Sequence, residues 1–314
     1  MTRCFWLAAT IVAVMVCSPA LGVVIAGGDG SGNTTGYALD GNPVPGWDYI
    51  GTYGAGAAVY LGDGWVLTAA HLLTHNTVTF AGVTYTVDSG PRYQLDNPDD
   101  AWFGDLGKTD LVMFRLASTS GSPDWPALAP LNIASSPVQT DTDVVMIGNG
   151  YNRQASPVGY DSDWTAVSVD SEECMYSGFR YAGTKSLRWG TNVVSAGPFL
   201  SLAIKPGELS SFGFLTTFRD GASDSEAQAA DGDSGGGVFG LDGTLLGIMV
   251  GKGQLAGQPG NNLALYGNQT YTIDLSYYRS QILAIAPSLA IPEPVSLTTM
   301  LAASAFMLLR KRRP

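Results

Sequence analysis

The chain has 314 residues, 45% hydrophobic and 14% charged, which is enough for a packed core in one large domain or two small ones. Setting aside the basic residues at the two ends and Glu293, residues 23–291 carry 11 basic and 26 acidic groups, a net of −15. A surface this acidic repels nucleic acid and anionic lipid, so neither is expected as a partner, and it suits a protein that must stay soluble outside the cell.

Residues 1–22 read as a secretory signal. Arg3 supplies the positive start, Phe5 to Val16 the apolar stretch, and Ser18-Pro19-Ala20 or Ala20-Leu21-Gly22 a small-residue cleavage site. A lipoprotein reading at Cys17 is opposed by Val16 before it. Cys4 and Cys17 leave with the leader, so Cys174 stands alone and no intrachain disulfide is available.

Forty glycines, 17 prolines and few long amphipathic patterns point to an all-β body. Residues 25–60 are Gly-rich, with Tyr37, Trp47, Tyr49 and Tyr53 scattered among them. Ala57–Leu61 and Trp65–Ala69 flank Gly62-Asp63-Gly64, a hairpin signal, and Thr77–Phe80 and Thr84–Val87 extend a meander. Asp96–Asp105 reads as an acidic loop, and Asp110–Leu116 as strand. Ser118–Pro137, rich in Pro, Ser and Ala, reads as a connection between two halves. Asp143–Gly148 opens the second half. Residues 151–230 are long and polar enough for extended surface hairpins, and Gly237–Phe239 and Thr244–Val250 flank another turn, Leu241-Asp242-Gly243.

The chemistry sits on three separated residues. Ser234 lies in Asp231-Gly232-Asp233-Ser234-Gly235-Gly236, where glycines allow close backbone approach and positive φ. A nucleophilic serine needs a base, and imidazole is best matched to that task near neutral pH. The chain holds two histidines, and His71 follows Leu67-Thr68-Ala69-Ala70, small residues that suit packing behind a catalytic ring. An acid must orient that ring. Asp110 opens the apolar run Leu111-Val112-Met113-Phe114, with Asp105 as the close rival.

These segments, in the order His, Asp, Ser, resemble the trypsin/chymotrypsin-like serine peptidases over roughly residues 25–287. The resemblance implies two packed antiparallel six-stranded β-barrels and a short C-terminal helix. Barrel one would span about 25–117, the connection about 118–137 and barrel two about 138–287, within a domain of 23–287. Tyr271–Ala286 resembles the family's last strand and helix, with Tyr277, Ile282 and Leu283 facing inward. The N–H groups of Gly232 and Ser234 would form the oxyanion hole. Asp233 would pair with a new N-terminal amine. Ile25-Ala26-Gly27-Gly28 resembles the family's mature terminus, whereas cleavage after Gly22 leaves Val23 first, and both remain open.

The same resemblance places Gln228, Val250 and Lys252 at the specificity pocket. Gln228 stands where a trypsin-like aspartate would be, so a preference for Lys or Arg is unsupported, although Glu226 and Asp224 lie close enough in sequence to substitute. Val250 stands where a serine often supports the buried aspartate.

Rival chemistries fail on order and spacing. The Gly-x-Ser-x-Gly elbow of α/β-hydrolases needs a histidine after the serine, and none follows His75. His71-Leu72-Leu73-Thr74-His75 lacks the glutamate of a zincin. Asp96, Asp99, Asp100 and Asp105 match no EF-hand spacing and read as a solvated loop. No metal or organic cofactor is expected.

At the other end, Ile291-Pro292-Glu293-Pro294, apolar Val295–Leu309 and Arg310-Lys311-Arg312-Arg313 resemble the PEP-CTERM sorting tail of Gram-negative bacteria, here residues 288–314. That resemblance implies processing by signal peptidase and an exosortase, and a body at the outer envelope, cell surface or extracellular matrix. The helix at 295–309 is short for a full span, and its basic end favours the cytoplasmic side. A plain membrane anchor is the alternative. The expected protein is an exported, monomeric serine endopeptidase acting on protein or peptide. The alternative is a catalytically silent surface or matrix binding protein on the same scaffold.

Overall fold

The computed structural model describes residues 22–38, 40–98, 105–118, 125–201 and 209–290. The expected leader up to residue 21 and the sorting tail from 291 onward lie outside the described residues. Among those described, no helix is long and apolar enough to cross a membrane.

The chain is all-β, built as two antiparallel halves. A short β1 (Val24–Ile25) precedes the first half, which comprises β2 (Ile50–Tyr53), β3 (Gly56–Gly62), β4 (Trp65–Ala69), β5 (Thr77–Phe80), β6 (Val83–Thr86), β7 (Tyr93–Asp96) and β8 (Lys108–Arg115). These seven form one sheet in the order β6-β5-β2-β3-β4-β8-β7. It curls as a half-barrel rather than closing with six strands. The additional strand is β7, in which only Leu95 is buried, so its sequence carries no run of alternating apolar residues.

The second half comprises β9 (Asp143–Gly148), β10 (Tyr151–Tyr160), β11 (Ala166–Val167), β12 (Tyr176–Lys185), β13 (Arg188–Ser201), β14 (Ser211–Thr217), β15 (Ala227–Gln228), β16 (Gly237–Gly240), β17 (Leu245–Gly253), β18 (Leu263–Leu265) and β19 (Gln269–Asp274). Six of them close a barrel in the order β13-β14-β19-β17-β16-β9. The long polar stretch divides: its first part, β10 to β12, joins β18 in a separate four-stranded sheet, β11-β10-β12-β18, its later strands β13 and β14 enter the barrel, and β15 pairs with β1.

One core joins the halves. Val59, Leu67 and Leu111 from the first sheet pack with Ile147, Phe239 and Ile248 of the barrel. Full burial of each such side chain contributes about 1.5–3 kcal/mol, so the seam resists sliding. Helix α1 (Arg279–Ile285) closes the end. Leu275, Tyr278, Ile282, Ala286 and Leu289 are its buried residues and those of the adjoining turns. Tyr277 and Leu283 pack half-buried against the same core, as expected, and beside them Tyr278, one helical turn back from Ile282, is fully buried. Its hydroxyl donates to Asn97 Oδ1 at 2.7 Å and accepts the Phe212 N–H at 3.0 Å, tying α1 to both halves.

Candidate active site

Strand β4 ends at Ala69, and the chain turns at once, with the Ala70 N–H bonded to the Asp110 carbonyl at 3.1 Å. Because Ala69 pairs with Leu111 across β4 and β8, His71 emerges beside the Asp110 side chain. Asp110 is 4% exposed and the His71 side chain is 31% exposed. One carboxylate oxygen accepts the His71 backbone N–H at 2.8 Å, and the other lies 2.7 Å from His71 Nδ1. A carboxylate in that role only accepts, so Nδ1 carries the proton and Nε2 keeps its lone pair.

Asp105, the rival, caps a turn by accepting the Gly107 N–H at 2.8 Å and makes no bond to His71. Val250 is buried and gives Asp110 no hydrogen bond. Support comes instead from Ser211, whose hydroxyl accepts the Asp110 N–H at 3.2 Å and bonds Thr109 Oγ1 at 2.7 Å.

The nucleophile loop joins β15 to β16 and docks on the first sheet. Ser234 O accepts the Ala57 N–H at 2.9 Å, while Ala57 O accepts Thr68 Oγ1 at 2.6 Å, three residues ahead of His71. A Cβ placed on Gly56 would meet Leu72 Cδ1 at 2.7 Å and Ser234 O at 2.8 Å. The serine and the residue after the histidine thus flank one glycine. The Ser234 hydroxyl makes no hydrogen bond among the described residues, His71 included. Catalytic hydrogen bonds are often long without substrate and tighten in the complex.

Gly232 has φ 103°, open to glycine and strained for other residues. This geometry leaves the Gly232 and Ser234 N–H groups without an acceptor among the described residues, whereas their neighbours Asp233 and Gly235 bond Ala230 O and Met249 O at 3.0 and 2.8 Å. Two free donors one residue apart suit a developing oxyanion.

Asp233 is wholly buried and accepts the N–H groups of Gly150 at 2.7 Å and Ala230 at 2.6 Å. Burial pushes its carboxyl up to about 7, against those hydrogen bonds and the charges of Lys185 and Arg188. Gly148 lies between this carboxylate and the N-terminal segment. Its Cα faces Asp233 Oδ1, and its carbonyl oxygen lies against Gly22. Ile25 is committed elsewhere, paired with Ala227 in the β1–β15 ladder.

At the expected specificity pocket, Gln228 is fully buried, and both polar atoms of its amide lack a hydrogen-bond partner among the described residues. Lys252 Nζ bonds Asn261 O at 2.6 Å and Asp231 Oδ1 at 2.9 Å. Neither acidic substitute supplies a carboxylate there. Buried Glu226 is paired with Arg219 at 3.1 Å, and Asp224 is exposed and uses its carbonyl to hold the Gly27 N–H.

Two buried arginines fasten the N-terminal segment; sequence reasoning missed Arg153, and it found Ser186–Gly190 conspicuous without giving Arg188 a role. Arg153 donates to the carbonyls of Ile25, Ala26, Gly27 and Gly28 at 2.7–3.1 Å and lies 3.7 Å over the Phe179 ring. Arg188 Nε donates to Gly32 O at 2.8 Å and Trp189 Nε1 to Thr35 O at 3.0 Å. The available signal was the charge in Leu187-Arg188-Trp189, enclosed by apolar residues. Among the described residues, no three His, Cys, Asp or Glu side chains could hold a metal ion. Asp99 and Asp100 lie outside them.

A family model described as a trypsin-like peptidase domain matches residues 54–248, which include His71, Asp110 and Ser234. No curated protein matches the chain in sequence. Among solved structures, the Rv3671c protease of M. tuberculosis in its inactive form is 15% identical, with a TM-score of 0.43, covering 77% of this chain and 90% of that one. Neuropsin, a serine protease of mouse brain, is 17% identical, with a TM-score of 0.46, covering 76% and 94%.

Proposed function

The chain belongs to the family of trypsin-like peptidase domains, and on that premise we propose that it is an exported serine endopeptidase whose triad is Ser234, His71 and Asp110. The observation that carries this reading is the two-point hold of Asp110 on His71, at 2.8 and 2.7 Å, beside a serine loop tied through Ala57 and Thr68 to the strand that leads into His71.

Ser234 Oγ attacks the scissile carbonyl carbon while its proton passes to His71 Nε2. The carbonyl oxygen takes up the displaced electron pair and is held by the Gly232 and Ser234 N–H groups. Collapse breaks the C–N bond, and His71 gives its proton to the leaving amine. Water, deprotonated by the same nitrogen, then hydrolyses the acyl-enzyme and restores the serine. Asp110 keeps the imidazole in the required tautomer and stabilises its cation.

Export rests on the leader and the tail, and processing by signal peptidase and an exosortase-type enzyme follows from them. Residues 23–287 form the peptidase domain in this reading, and 288–314 the sorting tail. Gly22 lies against the Gly148 carbonyl and Asp233 against the other face of Gly148, whereas Ile25 is held in the β1–β15 ladder, so in this reading the amine that cleavage after Gly22 frees on Val23 is the one that moves to Asp233 and shapes the oxyanion loop.

Residues 23–290 presented with a broad peptide library test the assignment. Turnover that Ser234→Ala removes supports it. A correctly processed protein that cleaves nothing rejects it and leaves a binding protein on a peptidase scaffold.

A further inference from the structure

Among the described residues the strongly acidic body holds three lysines, Lys108, Lys185 and Lys252, and two of them lie against the nucleophile loop. Lys185 Nζ donates to Ala55 O at 2.8 Å and would lie 2.6 Å from a Cβ on Gly232. Lys252 Nζ donates to Asn261 O and lies 3.3 Å from Tyr181 OH. Each ammonium also sits over a ring, Lys185 over Tyr151 at 4.6 Å and Lys252 over Tyr181 at 4.8 Å. The two rings stack on each other at 6.3 Å. Cation, ring, ring and cation therefore form one row along the loop that carries Ser234.

The carboxylate answering this row at the surface is Asp231, 2.9 Å from Lys252 Nζ. The Lys252 side chain is 14% exposed and that of Asp231 is 53% exposed. Asp233 is buried on the inner side and bound by two N–H groups. The Asp231 end of this pair is open to water, so another carboxylate arriving from solvent can exchange for it at the same ammonium. Asn261 O and Tyr181 OH hold the Lys252 ammonium on its other sides, so it is already oriented for a ligand carboxylate.

We infer that the peptidase selects substrates with a carboxylate side chain close to the scissile bond, with Lys252 receiving that carboxylate in exchange for Asp231 and Lys185 adding positive potential from the other end of the loop. This rests on the peptidase reading above. Strand β17 carries Lys252 past the nucleophile loop, where Met249 exchanges hydrogen bonds with Gly235 and Gly236. The selected side chain is accordingly within about a residue or two of the bond that breaks, at ~3.3 Å of strand per residue.

The test compares matched peptides bearing Glu, Gln or Lys at each position flanking the cleavage site. At one position kcat/KM for Glu exceeds that for Gln on the order of tenfold. Lys252→Gln brings the ratio close to one, and Asp231→Asn raises it. Lys108→Gln, which removes the same charge from a lysine paired with Asp96, leaves the ratio where it was. Equal rates for Glu and Gln at every position, or a Glu preference that survives Lys252→Gln, overturn the inference. Labelling by a small fluorophosphonate, which carries no carboxylate, separates the two failures. A protein that labels at Ser234 but ignores Glu sinks this inference alone, whereas one that never labels sinks the peptidase reading with it.

Discussion

Asp110 holds His71 at two points, taking the backbone N–H at 2.8 Å and Nδ1 at 2.7 Å on separate oxygens. The first bond fixes where the turn after β4 leaves the sheet, and the second fixes the tautomer. Asp110→Asn can keep the first through its amide oxygen but offers an N–H to Nδ1, which reverses the tautomer. The expected loss in kcat is on the order of 10⁴-fold, with little change in urea midpoint. Steady-state kinetics beside equilibrium unfolding distinguish this from collapse of the fold.

Gly232 sits at φ 103°, and a methyl group there would meet Lys185 Nζ at 2.6 Å and Asn149 O at 2.9 Å. Gly232→Ala therefore moves one oxyanion donor and displaces a lysine. Loss of one such donor costs about 10²–10³-fold in kcat. The effect should fall on kcat rather than KM, because the donor acts most strongly on the transition state.

In the proposed reading Asp233 would link maturation to pH. Its carboxyl is raised to about 7 by burial, far above the unfolded value of 3.8. A chain extended beyond Val23, with no amine beside this group, holds one more proton when folded than when unfolded between about pH 4 and 7. Its stability is greatest below that window and falls as pH rises through it, by up to about 1.4 kcal/mol per unit. Asp233→Asn removes the slope, and so does a free Val23 amine. Urea midpoints of the extended and Val23-starting forms from pH 4.5 to 7.5 measure this. Peptidase rates measured on the same two forms should be lower for the extended one.

The Arg153 guanidinium binds four successive carbonyls of the N-terminal segment. Arg153→Met preserves much of the stem's packing and leaves those carbonyls without their donor. A destabilisation of about 3 kcal/mol is expected, accompanied by faster amide exchange at residues 24–28 if the segment loosens as a unit.

Much of this was legible in the sequence because it is local. The turn glycines flanking Asp63 and Asp242, the alternation in Trp65–Ala69 and the spacing around Ser234 each declare a conformation within a few residues. Tyr93–Asp96 was not legible, since a single inward Leu95 gives no period. Tyr277 was legible as a core contact but the fully buried Tyr278 beside it was not, because adjacent tyrosines differ only in which helical face they occupy. Arg153 escaped, and Arg188 stood out without a role, for another reason. Arg153 and Arg188 bind backbone carbonyls more than a hundred residues away, and a carbonyl leaves no mark on side-chain pattern. Lys252 was legible as a pocket residue, but its row with Lys185 was hidden likewise, because that exists only once β12 and β17 are folded beside one loop.

The central claim is that Ser234 is a nucleophile activated by His71. The most direct measurement is intact mass followed by peptide mapping after exposure to a fluorophosphonate, on the wild type and on His71→Ala. The account predicts one adduct per chain, carried by Ser234, and loss of nearly all labelling in His71→Ala. An adduct on another residue, or undiminished labelling of Ser234 without His71, would contradict it.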